Sequence, residues 1–108
     1  MHQTTYAQTE ELPFINAAEL CEDCLGFTVE SIVVKENVVT KHGVQDVAYV
    51  KIAIDGVRYI LSAKQSVLLK QFRAMKAARE AGTDPNPLDQ VFYIAFPEGK
   101  SYYDLFVE

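Results

Sequence analysis

The dipeptide Asp55-Gly56 is the sequence feature that most constrains the fold of this chain. It separates two segments, 47–54 and 57–63, in which apolar side chains alternate with other residues. A type I′ turn needs φ > 0 at both central residues, and Asp-Gly is among the pairs that tolerate this. The pattern therefore predicts a two-residue β-hairpin with a fixed register. The predicted cross-strand pairs are Ile54–Val57, Ile52–Tyr59 and Val50–Leu61.

The register assigns each residue of this hairpin to one of two faces. The paired residues are apolar or aromatic, so their face is predicted to be buried. The opposite face is predicted to be exposed, and it holds Tyr49, Lys51, Ala53, Arg58, Ile60 and Ser62.

A longer strand is predicted before the hairpin, over residues 27–40, where β-branched and aromatic residues dominate. The alternation slips between Val29 and Ile32, which indicates a bulge or a sharp bend. Lys41-His42-Gly43 then predicts a turn or the first residues of a longer loop.

Two helices are predicted from capping residues. Asn16 with Glu19 three residues later is typical of a helix N-terminus, so we expect a short helix over 17–24. A second helix is expected between Ser66 as its N-cap and Gly82 as its end. Its apolar stripe comprises Leu68, Phe72 and Met75, and its opposite side carries Lys70, Arg73 and Lys76.

The last part of the chain predicts a Pro-rich loop over 83–90 and a second hairpin, 91–96 with 101–107. Pairing Phe96 with Ser101 divides its side chains between two faces. The predicted core face holds Phe92, Ile94, Phe96, Tyr103 and Leu105. The opposite face holds Tyr93, Tyr102, Asp104 and Phe106.

The resulting order of elements is β-β-β-α-β-β after a short N-terminal helix. With 108 residues the chain has room for one domain, which we place at 16–108, after a loose arm over 1–15. The fold class is mainly β (α+β), and we expect a small OB-fold-like five-stranded barrel, because closing the sheet hides its edges. A flat sheet with the helix across one face is the competing arrangement.

Charge is distributed unevenly. The chain has a net charge of −5, but residues 35–79 hold nine of the ten Lys and Arg and only three acids. That segment carries +6 and the rest −11, which suggests a basic face for an anionic partner. A solvated helix face with scattered surface charge is the simpler interpretation.

A resemblance to a known family rests on the stretch FTVESIVVKEN…YVKIAIDGVRYILSAKQSVLLKQF. Gly26, Asp55-Gly56, Ser66 and Val67-Leu68-Leu69 resemble the pattern of the small OB-fold single-stranded-DNA-binding proteins of bacteriophages and related mobile elements. The similarity covers about residues 25–75, and the longer helix and Pro-rich loop depart from it. It implies binding of single-stranded DNA during DNA replication or recombination.

The candidate nucleic-acid-binding residues combine an aromatic face with cations, as single-strand binding requires. They are Tyr49, Lys51, Arg58, Lys35, Lys41, His42 and Lys64. A second aromatic surface of Tyr93, Tyr102 and Phe106 is a candidate interface for a subunit or for the arm. The alternative function is a protein-interaction module that binds or inhibits a host or replication protein, or mimics DNA through its acidic surface.

Other chemistry is not expected. Cys21 and Cys24 form a single C-x-x-C with only His2 and His42 as further ligands, so we expect free cysteines and no metal. No motif predicts an enzyme or a cofactor. The sequence shows no signal peptide or membrane span, so we expect a cytoplasmic protein without a membrane partner, and leave self-association open.

Overall fold

The computed structural model describes residues 12–108 and shows a mainly β, α+β fold. Six strands and two helices follow one another along this part of the chain. They are β1 (Phe14–Ile15), α1 (Ala17–Glu22), β2 (Thr28–Thr40), β3 (Gly43–Ile54), β4 (Val57–Ala63), α2 (Ser66–Ala81), β5 (Phe92–Ala95) and β6 (Asp104–Val107).

The hairpin of β3 and β4 confirms the predicted register. Asp55 and Gly56 have φ values of 50° and 82°, as the type I′ turn requires. The three predicted pairs are all present, and Val50, Ile52 and Leu61 are fully buried. Val57, next to the turn, is the exception, because it lies more than half exposed at the end of the hairpin.

Strand β2 is bent, as the slipped alternation predicted. Its pairing with β3 shifts between Val29 and Ser31 and again between Lys35 and Val38. The turn at 41–42 is also confirmed, but β3 begins at Gly43 rather than at residue 47. Gly43 and Asp46 are weak strand formers, and pairing of 43–45 with the end of β2 extends the strand through them.

Both helices are present, with corrected ends. Asn16 Oδ1 accepts a hydrogen bond from the Glu19 N–H at 2.8 Å, which confirms the cap of α1, although α1 ends at Glu22. The N-cap of α2 is Gln65 rather than Ser66, because Gln65 Oε1 accepts from the Leu68 N–H at 3.2 Å. Gly82 ends α2 in the left-handed conformation, as predicted.

The hairpin of β5 and β6 has a different register from the one predicted. Ile94 lies opposite Leu105, so the strands are shifted by two residues and the connecting loop is longer. Because side chains alternate with a period of two, this shift leaves every residue on its predicted face. Phe96 is nevertheless about half exposed rather than in the core, and its ring stacks on Tyr103 at 4.7 Å.

The segment before α1 corrects the predicted arm. Phe14 and Ile15 form β1, which pairs in parallel with β4, and the Ile60 N–H donates to the Pro13 carbonyl oxygen at 2.9 Å. The Ile15 side chain is buried in the core, and this burial holds the segment in place. The remainder of the predicted arm, 1–11, lies outside the described residues.

The sheet does not close into a complete barrel within residues 12–108. One sheet has the order β1-β4-β3-β2 and the other holds β5 and β6. The backbones of Phe27 and Phe92 join the two sheets by hydrogen bonds of 3.0 and 2.8 Å. Each sheet has one further edge. At the edge of β4 the partner strand is β1, and at the edge of β6 the side-chain amide of Gln71 hydrogen-bonds the backbone.

Gln71 on α2 serves as a side-chain cap for this second edge. Its Oε1 accepts from the Leu105 N–H at 3.1 Å, and its Nε2 donates to Asp104 Oδ1. An edge N–H in a partly buried position is costly to leave without an acceptor. Gln71 thus ties α2 to the outer strand of the second sheet.

Replacing Gln71 with Leu should lower the free energy of unfolding by about 0.5–1.5 kcal/mol, because the Leu105 N–H keeps Asp104 Oδ1 as an acceptor but loses Gln71 Oε1. Lys70→Leu is the matched control, since Lys70 is an exposed neighbour on the same helix. Urea denaturation followed by circular dichroism measures both. Equal stability of the two variants would show that the cap contributes nothing.

Candidate nucleic-acid interface

The outer face of the four-stranded sheet brings most of the predicted binding residues together. Tyr49 and Lys51 project from β3 on the face opposite Val50 and Ile52, which are fully buried. Arg58 lies opposite Ala53 on the same face. The three side chains therefore follow one line along the β3–β4 hairpin.

Lys35 extends this line at its other end. Val33 lies opposite Tyr49, and Lys35 lies opposite Val47, two positions further along β2. Lys35 is exposed, so its ammonium group can reach solvent on this face. We call the surface formed by Lys35, Tyr49, Lys51 and Arg58 the outer face strip.

The other predicted cations lie apart from the outer face strip. Lys41 and His42 are exposed in the turn at the far end of the β2–β3 ribbon. Lys64 is exposed and directly follows β4. These three residues can only extend the path of a ligand beyond the strip.

An acidic side chain borders the outer face strip. Glu30, at the bulge of β2, accepts from Arg58 Nε at 3.1 Å. The Arg58 side chain is 48% exposed and that of Glu30 34% exposed, so the pair contributes at most about 1 kcal/mol. A phosphate group can therefore exchange with the carboxylate at little cost.

The helix cations do not extend the outer face strip. Helix α2 packs Leu68 and Phe72 into the core, so α2 lies on the inner side of the sheet. Three of its four cations, Arg73, Lys76 and Arg79, bind acids of the same chain. The ion pairs are Arg73–Asp46 at 2.7 Å, Arg73–Glu36 at 3.9 Å, Lys76–Glu80 at 2.7 Å and Arg79–Asp84 at 3.3 Å. The basic block of the sequence is thus split between the two sides of the sheet.

Phe14 is a residue of the outer face that the sequence reasoning missed. Its side chain is 67% exposed, and it lies beside Ile60, which in turn lies opposite Lys51. The prediction had placed it in the loose arm. The available signal was the apolar run 12–15, which ends directly at the Asn16 cap.

The second aromatic surface is assembled only in part. Tyr93 and Phe106 lie opposite each other on β5 and β6, whereas Tyr102 lies in the loop before β6. The Tyr93 ring packs so closely on Gly26 that a Cβ there would lie 3.2 Å from it. The Tyr93 hydroxyl donates to a Glu108 carboxylate oxygen at 3.3 Å, and this negative charge raises the pKa of Tyr93.

The cysteines lie at the end of α1. Cys21 is partly buried against the core, Cys24 is exposed, and both are free. Among residues 12–108, no group of three or more potential ligands is arranged to hold a metal ion. In the same part of the chain, neither helix is long and apolar enough to cross a membrane.

Comparison of the chain with protein families, with curated proteins and with solved structures gave no match.

Proposed function

We propose that this protein binds single-stranded DNA without strong sequence preference, through the outer face strip. The observation that carries the proposal is the placement of Tyr49 between the rows of Lys35 and Lys51 on one face of the sheet, with Arg58 beyond. Single-strand binding sites combine aromatic rings on which bases stack with cations that follow the phosphates. In a bacteriophage or mobile element such a protein acts in DNA replication or recombination.

The fold supports this proposal as an OB-like, incompletely closed barrel. Helix α2 lies between β4 and β5 in the order of elements along the chain. Phe27, directly before the bent β2, hydrogen-bonds Phe92 of β5 and so joins the two sheets. OB-folds bind oligonucleotides on the face of their central strands. In this chain those strands are β3 and β4, which carry most of the outer face strip.

The proposed ligand is a single strand rather than a duplex because the outer face strip combines an aromatic ring with only a few cations. A duplex hides the faces of its bases, so it would meet only the cations. Those cations are few, Arg73, Lys76 and Arg79 of α2 are paired with acids, and the whole chain carries −5. Stacking on Tyr49 adds about 1–3 kcal/mol for a single strand alone.

Fluorescence anisotropy with labelled oligo-dT and with duplex DNA, at two salt concentrations, tests the proposal. We expect oligo-dT to bind more tightly than duplex, with a slope of about −0.7 per phosphate contact on a log–log salt plot. Folded protein that binds no oligo-dT at low salt would overturn it.

The cations of the strip should make separable contributions. Lys51→Ala should weaken oligo-dT binding most at low salt and flatten the salt slope by about one phosphate contact. Glu30→Gln should strengthen binding at low salt, because it removes the carboxylate that competes for Arg58. Lys76→Ala on the inner side is the control and should bind like the wild type. Equal loss in Lys51→Ala and Lys76→Ala would show that the strip is not the site.

A protein-interaction module is the second candidate, and a specific observation favours it. Val39 and Val44 lie opposite each other near the end of the β2–β3 ribbon and are 82% and 63% exposed. Exposed apolar side chains of this kind suit contact with a host or replication protein. This function would be supported if the folded protein does not bind oligo-dT and if Val39→Ser abolishes binding of a protein partner by the wild type.

A further inference from the structure

We infer that Phe14 is a second base-stacking platform of the same site, separate from Tyr49. This inference rests on the proposed function. It places an additional nucleotide of the bound strand over β1, which is the edge strand of the four-stranded sheet, next to β4.

The backbone fixes Phe14 in the orientation that stacking requires. The Pro13 carbonyl accepts from the Ile60 N–H at 2.9 Å, so the segment is pinned to β4 just before Phe14. Ile15, just after it, is buried in the core beside Leu61. Because successive side chains of a strand point to opposite faces, the burial of Ile15 directs the Phe14 ring to the outer face.

The start of α1 removes the remaining freedom. Asn16 caps this helix through the Glu19 N–H, so the chain turns directly after Ile15. The backbone that carries Phe14 is therefore held in place before any ligand arrives, so that mainly side-chain rotamer entropy is lost when a base stacks on the ring.

The position of Phe14 relative to Tyr49 suits two different bases. Two strand spacings, about 10 Å, separate β1 from β3. Phe14 shares a row with Lys51 through Ile60, and this row lies two residues, about 7 Å, from the row of Tyr49. One base cannot cover both rings, and Lys51 shares its row with Phe14 and its strand with Tyr49, so it is the cation common to the two platforms.

The surroundings of Phe14 favour a nucleic acid over an apolar protein surface. On the outer face of β4, Ile60 has Arg58 on one side and Ser62 on the other. Phe14 is thus an exposed ring beside Ile60, and a cation and a hydroxyl group flank Ile60 on the same face. Aromatic rings interleaved with cations are the pattern of single-strand sites.

A tryptophan reporter tests the contact directly, because the chain contains no Trp. In Phe14→Trp, titration with oligo-dT should quench the Trp emission as a base stacks on the indole. Leu88→Trp is the control: Leu88 is exposed in the Pro-rich loop, away from the sheet, and its emission should not change. Binding of oligo-dT without quenching in Phe14→Trp would overturn the inference.

Affinity provides the second measurement. Phe14→Ala should weaken oligo-dT binding by about 5- to 150-fold and leave the salt slope unchanged, whereas Phe14→Tyr should bind like the wild type. If Phe14→Ala binds as tightly as the wild type while Tyr49→Ala does not, the second platform is wrong and the proposed function stands. If the folded wild type binds no oligo-dT, both are wrong.

Discussion

Replacement of Ile52 with Ala should lower the free energy of unfolding by about 2–5 kcal/mol. Ile52 is fully buried at the centre of β3 and lies between Val29 on β2 and Tyr59 on β4. Its truncation removes apolar contacts and leaves a cavity that three hydrogen-bonded strands cannot easily close. Urea denaturation should show a lower midpoint with an unchanged m-value.

Lys51→Ala is the matched control, because it changes the neighbouring residue of the same strand on the other face. We expect its free energy of unfolding to lie within about 0.5 kcal/mol of the wild type, as for most surface substitutions. A larger loss in Lys51→Ala than in Ile52→Ala would mean that the two faces of the sheet are exchanged. The outer face strip would then be part of the core, and its role in binding would be excluded.

The β3–β4 hairpin could be predicted from the sequence because its register is a local property. A two-residue turn leaves one pairing, and the alternation on both strands agrees with it. The bulge in β2 was predictable for the same reason, since the slip between Val29 and Ile32 is visible in the pattern.

The register of β5 and β6, in contrast, is not determined by the residues of the turn alone. Pro97, Glu98 and Gly99 indicate a turn, but they do not say how many residues the loop uses. The observed loop is longer because Phe96 and Tyr103 stack outside the strands and Gln71, far away in sequence, caps Leu105. The two sheets do not close within the described residues, so the mainly β, α+β class is confirmed and the predicted barrel is not.

The candidate site could be predicted where the alternation of side chains along a strand determines the face on which each residue lies. Tyr49, Lys51 and Arg58 share a face because the hairpin places them there. Their acidic neighbours could not be predicted, since Glu30 lies 28 positions from Arg58 in the chain. Phe14 was missed because β1 is two residues long and is held by a parallel partner that no local pattern indicates.

Tyr49→Ala should weaken oligo-dT binding by about 1–3 kcal/mol and leave the salt slope nearly unchanged. The Tyr49 ring offers a face on which a base can stack, but it carries no charge that neutralises a phosphate. Its loss should therefore reduce affinity by a similar factor at low and high salt. Fluorescence anisotropy at several salt concentrations measures both the affinity and the slope.

The shape of the Tyr49 side chain, rather than its hydroxyl, should determine this effect. Tyr49→Phe keeps the ring and should bind oligo-dT like the wild type, whereas Tyr49→Leu keeps apolar volume without a π-face and should resemble Tyr49→Ala. Because Tyr49 is partly buried, thermal melts of all three variants are needed to show that each is folded at the temperature of the titration. Wild-type affinity in folded Tyr49→Leu would exclude stacking at this position. The cations of the outer face strip would then account for binding, and duplex DNA should compete with oligo-dT on equal terms.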